Sequence, residues 1–428
     1  MLKQLLPYEW AFWLIACTLS VFLSPNSSPV LFMVFALALP CFALLRWWVG
    51  LPVFPNFKLA IPLMGLLIMI ALSVAITPDI AFSLRKISGL INSIGLFIAL
   101  IISSKKNIPS WLLLIFGIVI ASVGAIGSDI YARIPLFFPV FRLFYLVVPF
   151  LPNVQRVINA NLVAGALLWT LPVSAGICWF YWRKKAVLLA GGAAVAVFVQ
   201  LFMLIIMQSR AALLALFISG LSVVWVLVPF SRRFIQYGIL ILAACILLLV
   251  LPIWPTAFTS TLQDAYFTLL VKGDEGEQGL DSIDGRIKIW QRSLDKISEK
   301  PVGGHGLNIF RTIVNDPTPV FVPEKEVPHA HNWALQIILE LGLIGLFFYL
   351  WLLFKAFQIL HASWYFVDEQ RPVIVGYAAA LLAFMIFGLF DTISPGARPD
   401  FIFWILLAGA FNRASKHAIR PEKVEADR

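Results

Sequence analysis

The sequence predicts an all-α polytopic membrane protein with about twelve transmembrane helices. Of its 428 residues, 61% are apolar and only 13% are charged, and the mean hydropathy is +0.92. Soluble globular chains do not have this composition. The apolar residues also occur in blocks of roughly 18–22, and a helix of that length crosses a hydrocarbon core about 30 Å thick.

Twelve such blocks follow one another along the chain and are interpreted as spans. They lie at about residues 9–24, 29–47, 58–77, 87–103, 109–127, 160–182, 186–207, 210–230, 233–254, 331–360, 373–391 and 399–412. The first is interpreted as a retained helix because it lacks a clear small-x-small pattern for signal-peptide cleavage. All four cysteines fall inside predicted spans at irregular spacings, which indicates apolar packing rather than a disulfide framework or a metal site.

Basic residues in the short loops predict the orientation of the spans. They fall on one side, which we expect to be cytoplasmic together with both termini: Lys3, Arg46, Lys58, Lys105, Lys106, Arg183, Lys184, Lys185, Arg232, Arg233, Arg371 and the segment 413–428. The net charge of +10 partly reflects this bias. No nucleic acid is needed to explain it, and we expect none among the partners.

Two segments on the opposite, outer side are too long for simple turns. Residues 128–159 combine arginines, aromatic residues and four prolines, and predict a short helix that lies in the interface or re-enters it. Residues 255–330 form a large polar loop, in which apolar residues three or four apart predict one helix: Ile283, Ile287, Trp290, Leu294 and Ile297. We therefore expect four regions, namely spans 1–9 at 1–254, the outer loop at 255–330, spans 10–12 at 331–412, and a tail at 413–428.

Arginines are unusually frequent on the outer side, against the usual bias. Those predicted on or near it are Arg85, Arg133, Arg142, Arg156, Arg210, Arg286, Arg292, Arg311 and Arg398. Each one alone fits interface snorkelling or a pair with a carboxylate. Together they favour an anion site, because guanidinium binds phosphate bidentately and stays charged at physiological pH.

The strongest catalytic candidate is His331, which stands where the outer loop enters a predicted span. The run Pro328-His329-Ala330-His331-Asn332 puts a polar cluster at the outer end of that span. Burying polar groups there is costly, so the cluster favours chemistry over packing. In the structural alternative, His331 neighbours a helix cap and Asn332 is the cap. His329 is less distinctive and is a candidate supporting residue.

Glu340 lies nine residues into the same span, about half a helical turn out of phase with His331. It is therefore predicted to face away from His331 and to be structural. Gln336 is four residues before Glu340 and shares its face.

Several chemical classes lack a sequence signal here. The chain has no nucleotide-binding loop, no Cys/His spacing typical of a metal site, and no Asp-x-Asp pair on the outer side. We therefore expect no cofactor and no metal. An outer-side enzyme also cannot use cytoplasmic ATP, so its substrate must arrive already activated.

One long motif resembles the signature of the O-antigen ligase and O-antigen polymerase superfamily. The signature reads H-N-x-x-L-x-x-x-x-E-x-G-x-x-G, and the matching residues are His331, Asn332, Leu335, Glu340, Gly342 and Gly345. Three further stretches resemble this superfamily in the same chain order: Asn159-Ala160-Asn161-x-x-Ala164-Gly165, Gln208-Ser209-Arg210-Ala211-Ala212, and Gly285-Arg286-x-x-x-Trp290 followed by Pro301-x-Gly303-x-His305-Gly306.

The resemblance implies a glycosyltransferase of lipopolysaccharide biosynthesis in the bacterial inner membrane, with a fold like that of the GT-C-type membrane enzymes and a periplasmic helical cap. Its donor would be a polysaccharide on undecaprenyl pyrophosphate, and its acceptor a sugar hydroxyl of lipid A–core oligosaccharide. The reaction would be inverting and metal-independent. Catalysis is expected from His331, Arg210 and Arg286, pyrophosphate binding from Arg142, Arg156, Arg210 and Arg286, and support from His329, Asn332, Arg133 and Arg292.

Three other functions stay open. An O-antigen polymerase and a protein O-oligosaccharyltransferase share the signature, but the His-x-His-Asn form, the twelve predicted spans and one dominant outer loop look most like a ligase. A lipid-linked sugar transporter is the alternative from another class. It would carry charges near mid-span and repeat symmetry, whereas these charges lie at the outer ends of spans.

Overall fold

The computed structural model describes residues 4, 6–22, 28–55, 57–102, 105, 107–128, 158–227, 283–310, 329–366, 369–397 and 399–413. Within these ranges the chain is helical, with one isolated bridge between Ser128 and Ile158. The helices are α1 (Glu9–Phe22), α2 (Ser28–Trp48), α3 (Phe57–Ile76), α4 (Ile80–Ile102), α5 (Ile108–Gly127), α6 (Ala160–Arg183), α7 (Val187–Ile206), α8 (Arg210–Leu227), α9 (Ile283–Glu299), α10 (Trp333–Phe366), α11 (Arg371–Gly388) and α12 (Asp400–Phe411).

The predicted polytopic helical architecture is confirmed. Among the described residues, seven helices are long and apolar enough to cross a membrane, at Leu59–Ile76, Ile108–Ala125, Ala160–Arg183, Val187–Ile206, Arg210–Leu227, Trp333–Tyr365 and Arg371–Gly388. Shorter apolar helices lie at Val34–Trp48, Lys86–Ile102 and Asp400–Phe411. The predicted span at 233–254 and most of the segment at 128–159 lie outside the described residues, so the total of twelve spans stays a prediction.

Two helices form the centre of the bundle. The helix α6 packs against α5, α7 and α11, and α12 packs against α4 and α5. Every one of the twelve residues of α12 is buried. A helix that is apolar on all sides belongs in the interior, so α12 fills the core although it is short.

Hydrogen bonds of described loop residues mark two ends of the bundle. At the end that we call the outer end, Ser83 Oγ donates to the Leu307 carbonyl oxygen at 2.7 Å. At the opposite end, Arg413 Nη1 donates to Gln370 Oε1 at 2.6 Å. The first part of α10 lies at the outer end, because Asn308, the residue after Leu307, donates its N–H to Glu340 Oε1 at 3.0 Å.

The predicted helix of the large outer loop is confirmed as α9, and the turn that follows it docks into a break in α10. Gly342 interrupts α10 with φ of +72°, a conformation that suits glycine. A Cβ at Gly342 would collide with the Val302 carbonyl oxygen. Backbone bonds close the junction, from His305 N to Leu339 O at 2.8 Å, from Gly306 N to Glu340 O at 3.1 Å, and from Leu343 N to Pro301 O at 2.9 Å. Two glycine-bearing motifs far apart in the chain thus form one packed unit.

Candidate active site

One carboxylate joins the two histidines of the His-x-His motif. His331 Nδ1 lies 3.2 Å from Asp391 Oδ1, and His329 Nε2 lies 3.4 Å from the same oxygen. The imidazole centroids are 4.3 Å apart. His331 and Asp391 are buried, and His329 is half-buried. The arrangement is a compact titratable cluster at the outer end of the bundle.

Asn332 fixes the chain on the C-terminal side of His331. Its Oδ1 accepts from Leu335 N at 3.1 Å, which caps α10. Its Nδ2 donates to the Leu389 carbonyl oxygen at 3.2 Å. Leu389 follows α11 and stands two residues before Asp391. The structural interpretation of Asn332 as a cap is therefore confirmed, and the same side chain ties the histidine segment to the carboxylate segment.

The backbone of His331 is in the left-handed region, with φ of +48°. For a residue with a Cβ this conformation costs about 1–3 kcal/mol and persists only where the surroundings hold it. Such strain is concentrated at functional sites.

Asp391 is poised to remain ionised. Its Oδ1 also accepts from Thr392 N at 2.7 Å. Burial by itself would raise the pKa of Asp391, but the hydrogen bonds with His329 and His331 and the electrostatic interaction with these two rings outweigh burial and hold that pKa well below its usual range. An ionised Asp391 accepts the Nδ1 proton of His331, and this leaves Nε2 of the ring as the proton acceptor.

His329 has a different electrostatic environment. Burial lowers the pKa of His329, and the hydrogen bond to Asp391 opposes this effect only in part. Burial therefore favours the neutral form of the His329 ring. The ring is a second hydrogen-bond donor beside Asp391 Oδ1, at 3.4 Å.

The N-x-N motif lies at the same cluster. Asn159 Oδ1 accepts from Asn161 N at 2.8 Å and caps α6. Both asparagines border a cavity of about 40 Å³, whose other lining residues are Leu162, His329, Phe387, Asp391, Thr392 and Ile393. Thr392 Oγ1 is buried and has no hydrogen-bond partner among the described residues. The cavity is large enough for one water-sized polar group beside the carboxylate.

Arg210 begins α8 at the same end of the molecule. Ser209 Oγ accepts from Ala212 N at 3.4 Å at this helix start. Ala212 also shares an apolar cluster with Phe387, four residues before Asp391. Arg210 is exposed. A guanidinium at a helix N-terminus adds to the positive end of the helix dipole, and the two together favour an anion.

Arg286 lies on the inward face of α9. It precedes buried Ile289 by three residues and Trp290 by four, so all three share one side of the helix. Trp290 Nε1 donates to the Ala330 carbonyl oxygen at 3.0 Å, which docks α9 on the residue before His331. Arg286 Nε is buried and makes no hydrogen bond among the described residues. This unused donor is the feature that an anionic substrate would satisfy.

The remaining predicted arginines are outside this arrangement or outside the described residues. Arg292 stands six residues after Arg286, about 120° away around the helix axis, and already has an interaction of its own. Arg133, Arg142, Arg156, Arg311 and Arg398 lie outside the described residues, as does the side chain of Arg85. Their contribution to substrate binding stays a prediction.

Asp391 is a candidate functional residue that sequence reasoning missed. It lies in the turn between α11 and α12, and in the sequence it is a lone acidic residue between two apolar blocks. The structure also groups one ligand atom each of His329, His331 and Asp391 within 4.8 Å of one another. Imidazole nitrogens and carboxylate oxygens are both common metal ligands. The sequence spacing did not reveal this set, and the metal-free reaction therefore stays a prediction for experiment.

Comparison with known proteins adds independent information. Residues 194–350 match the model of a family described as O-antigen ligase. A protein of Rickettsia conorii, named provisionally as a polysaccharide ligase, is 41% identical over 75 residues, which are 16% of this chain and 18% of that protein. A protein of Rickettsia bellii with the same provisional description is 44% identical over 75 residues, with the same shares. These alignments span less than a fifth of either relative.

The family match includes the residues around which the site is built. Residues 194–350 contain Arg210, Arg286 and His331, together with most of α7, all of α8 and α9, and the first half of α10. Asp391 lies beyond the matched interval. Over residues 194–350, the resemblance to the O-antigen ligase family that the motifs predict is confirmed.

Proposed function

We propose that this protein is an O-antigen ligase. It transfers a polysaccharide from undecaprenyl pyrophosphate to a sugar hydroxyl of lipid A–core oligosaccharide, at the periplasmic face of a bacterial inner membrane. The observation that carries this proposal is the contact between His331 Nδ1 and Asp391 Oδ1, at 3.2 Å. This contact supports a role for His331, which lies in the segment that matches the family, as an oriented general base.

The reaction needs no external source of energy. His331 Nε2 takes the proton of the acceptor hydroxyl, and Asp391 stabilises the imidazolium that forms. The acceptor oxygen then attacks the anomeric carbon from the face opposite the pyrophosphate. A new carbon–oxygen bond forms, the bond to the pyrophosphate breaks with its electron pair, and the configuration at the anomeric carbon inverts. Undecaprenyl pyrophosphate departs as the leaving group.

The arginines are assigned the role of stabilising the negative charge that develops on the leaving pyrophosphate. The two described candidates are Arg286, whose buried Nε has no hydrogen-bond partner among the described residues, and Arg210, at the start of α8. Arg142 and Arg156 complete the proposed pyrophosphate set. Fixed guanidinium groups stabilise departing phosphate oxygens without reorganisation during the reaction. They also fork around phosphate, which a lysine cannot do.

Purified protein in detergent tests the function. Lipid-linked polysaccharide and lipid A–core are supplied, and the products are separated by size. Attachment of long polymer to the core supports the ligase. Lengthening of polymer on its own lipid carrier, with no core product, supports an O-antigen polymerase instead. If detergent-solubilised protein transfers nothing but moves lipid-linked sugar across reconstituted vesicles, the protein is a transporter.

A further inference from the structure

The peptide groups of Ala330, immediately before His331, are held from two sides. Ala330 N donates to Gln336 Oε1 at 2.8 Å. The Ala330 carbonyl oxygen accepts from Trp290 Nε1 at 3.0 Å. Gln336 belongs to α10 and Trp290 to α9. Ala330 is fully buried, so water does not replace either bond. The backbone at Ala330 is therefore locked between two helices.

Gln336 is itself held in one orientation. Its Nε2 donates to Glu340 Oε1 at 2.8 Å. Because the nitrogen faces Glu340, the amide oxygen faces Ala330. Gln336 and Glu340 are both fully buried. An amide with both ends bonded in a buried site cannot flip without losing both partners.

Glu340 is anchored in turn by a buried lysine and by the outer loop. Its Oε1 accepts from Lys86 Nζ at 2.6 Å and from Asn308 N at 3.0 Å. Lys86 is also buried. Separating such a pair would leave a charge uncompensated in the interior. A chain of bonds thus runs from Lys86 through Glu340 and Gln336 to Ala330.

We propose that Trp290 and Gln336, with Glu340 and Lys86 behind Gln336, are positioning residues that hold His331 against Asp391 by clamping the Ala330 peptide. The inference rests on the proposed function, because it assigns the clamp to the transfer reaction. His331 has a left-handed backbone, with φ of +48°, and this conformation persists only under constraint. The clamp supplies that constraint on the N-terminal side, as Asn332 does on the C-terminal side.

The clamp also links the general base, His331, to the pyrophosphate-binding Arg286. Trp290 and Arg286 are four residues apart on one face of α9. Docking of Trp290 on Ala330 therefore fixes the general base and brings the pyrophosphate-binding arginine to it in the same step. This accounts for why the arginine and the tryptophan belong to one short motif.

The Trp290→Phe variant tests the clamp. It keeps an aromatic ring for packing and removes only the Nε1 donor. We expect kcat to fall about 10–100-fold, while KM for the lipid-linked donor changes less than about twofold. The matched control is Trp169→Phe, because Trp169 is buried and its Nε1 has no hydrogen-bond partner among the described residues. The control should keep the wild-type kcat.

A double-variant cycle separates positioning from general stability. Once Asp391→Asn has removed the partner of His331, loss of the clamp should cost less than about threefold more. Fully additive losses, or a loss confined to KM, would overturn the proposal. The Gln336→Met variant, which removes the other bond to Ala330, should behave like Trp290→Phe. If neither variant folds, the residues serve folding rather than positioning and the proposal is wrong.

Chemical modification tests the clamp without any transfer assay. Diethyl pyrocarbonate modifies accessible histidine rings, and mass spectrometry reads each site. In Trp290→Phe we expect His331 to react at least about threefold faster than in wild type, because the backbone that holds it is released. His305, which bonds to the Lys296 carbonyl oxygen at 2.8 Å, should react at the wild-type rate. An unchanged His331 rate overturns the clamp, whereas an inactive wild type overturns only the proposed transfer.

Discussion

Asp391 follows His331 by 60 residues, yet its Oδ1 lies 3.2 Å from His331 Nδ1. The contact joins the start of α10 to the turn after α11 at the outer end of the bundle. The same oxygen lies 3.4 Å from His329 Nε2. One carboxylate therefore orients both rings of the His-x-His motif.

Removal of the Asp391 charge should slow transfer without preventing folding. In Asp391→Asn the amide can present nitrogen rather than oxygen to His331, which disfavours the tautomer with a free Nε2. We expect kcat to fall by about 10²-fold or more. The control is Asp295→Asn on the exposed side of α9, which should transfer normally. Wild-type turnover by folded Asp391→Asn would remove Asp391 from the mechanism.

Thermal stability should fall as the pH is lowered below about 6.5, the ordinary pKa of histidine. The pKa of His329 is lowered in the folded state, chiefly by burial, so the unfolded chain binds the proton more readily. The free energy of unfolding therefore decreases as the pH falls from the pKa of His329 in the unfolded chain towards its lower pKa in the folded protein. Melting temperatures from pH 7.5 to 5 should decline less in His329→Gln than in wild type or in the exposed control His361→Gln. Equal slopes in all three would contradict this assignment.

The lowered pKa of Asp391 affects the stability of the protein at lower pH. Its contribution to stability is present above the ordinary aspartate value near 3.9 and is lost as the pH falls through the lower folded value. In the range where transfer is measured the carboxylate stays charged. If the transfer rate falls with decreasing pH above pH 5, it should therefore fall over the same pH range in Asp391→Glu as in the wild type.

Arginine-to-lysine changes should expose the pyrophosphate site. Arg286→Lys and Arg210→Lys keep the charge but lose the guanidinium fork. We expect each to reduce transfer by about 10²-fold, with Arg142→Lys and Arg156→Lys close behind. Arg292→Lys should matter less, because Arg292 lies on another side of α9. Initial rates at saturating donor measure this effect. Near-normal transfer by both Arg210→Lys and Arg286→Lys would mean that these arginines determine the membrane orientation of the spans and not catalysis.

Chelation tests the metal-free mechanism directly. Although His329, His331 and Asp391 have the ligand chemistry of a metal site, their direct contacts with one another give each a partner already. Transfer should keep its full rate after incubation with EDTA and removal of the chelator complex. If EDTA abolishes transfer and a divalent cation restores it, the three residues are metal ligands and leaving-group stabilisation by arginine alone is wrong.

The helical architecture could be predicted because it follows from local pattern. Apolar blocks of span length predict membrane helices wherever they occur, and apolar residues three or four apart predict α9. The cap role of Asn332 follows from its position before an apolar run. Gln336 and Glu340 were predicted to share a face, and the structure joins them at 2.8 Å.

The parts that escaped prediction depend on contacts between distant segments. Asp391 has no motif around it, and an acidic residue after an apolar block is typical of an ordinary helix end. Glu340 was predicted to be structural because it faces away from His331. It indeed makes no contact with that ring among the described residues, yet it reaches Ala330 through Gln336. That connection depends on how the outer loop folds back over the break at Gly342, which periodicity does not encode.

The His331→Ala variant measures whether His331 is the general base of the transfer. Initial transfer rates are measured with purified protein in detergent, lipid-linked donor and lipid A–core, after the melting temperature has shown the variant to be folded. General-base catalysis contributes about 10²–10⁴-fold, so His331→Ala should lose at least about 10²-fold in kcat, and His329→Ala should lose less. His331→Gln should keep part of the rate if orientation of the hydroxyl contributes. Folded His331→Ala that transfers polysaccharide at the wild-type rate would show that His331 is not the general base.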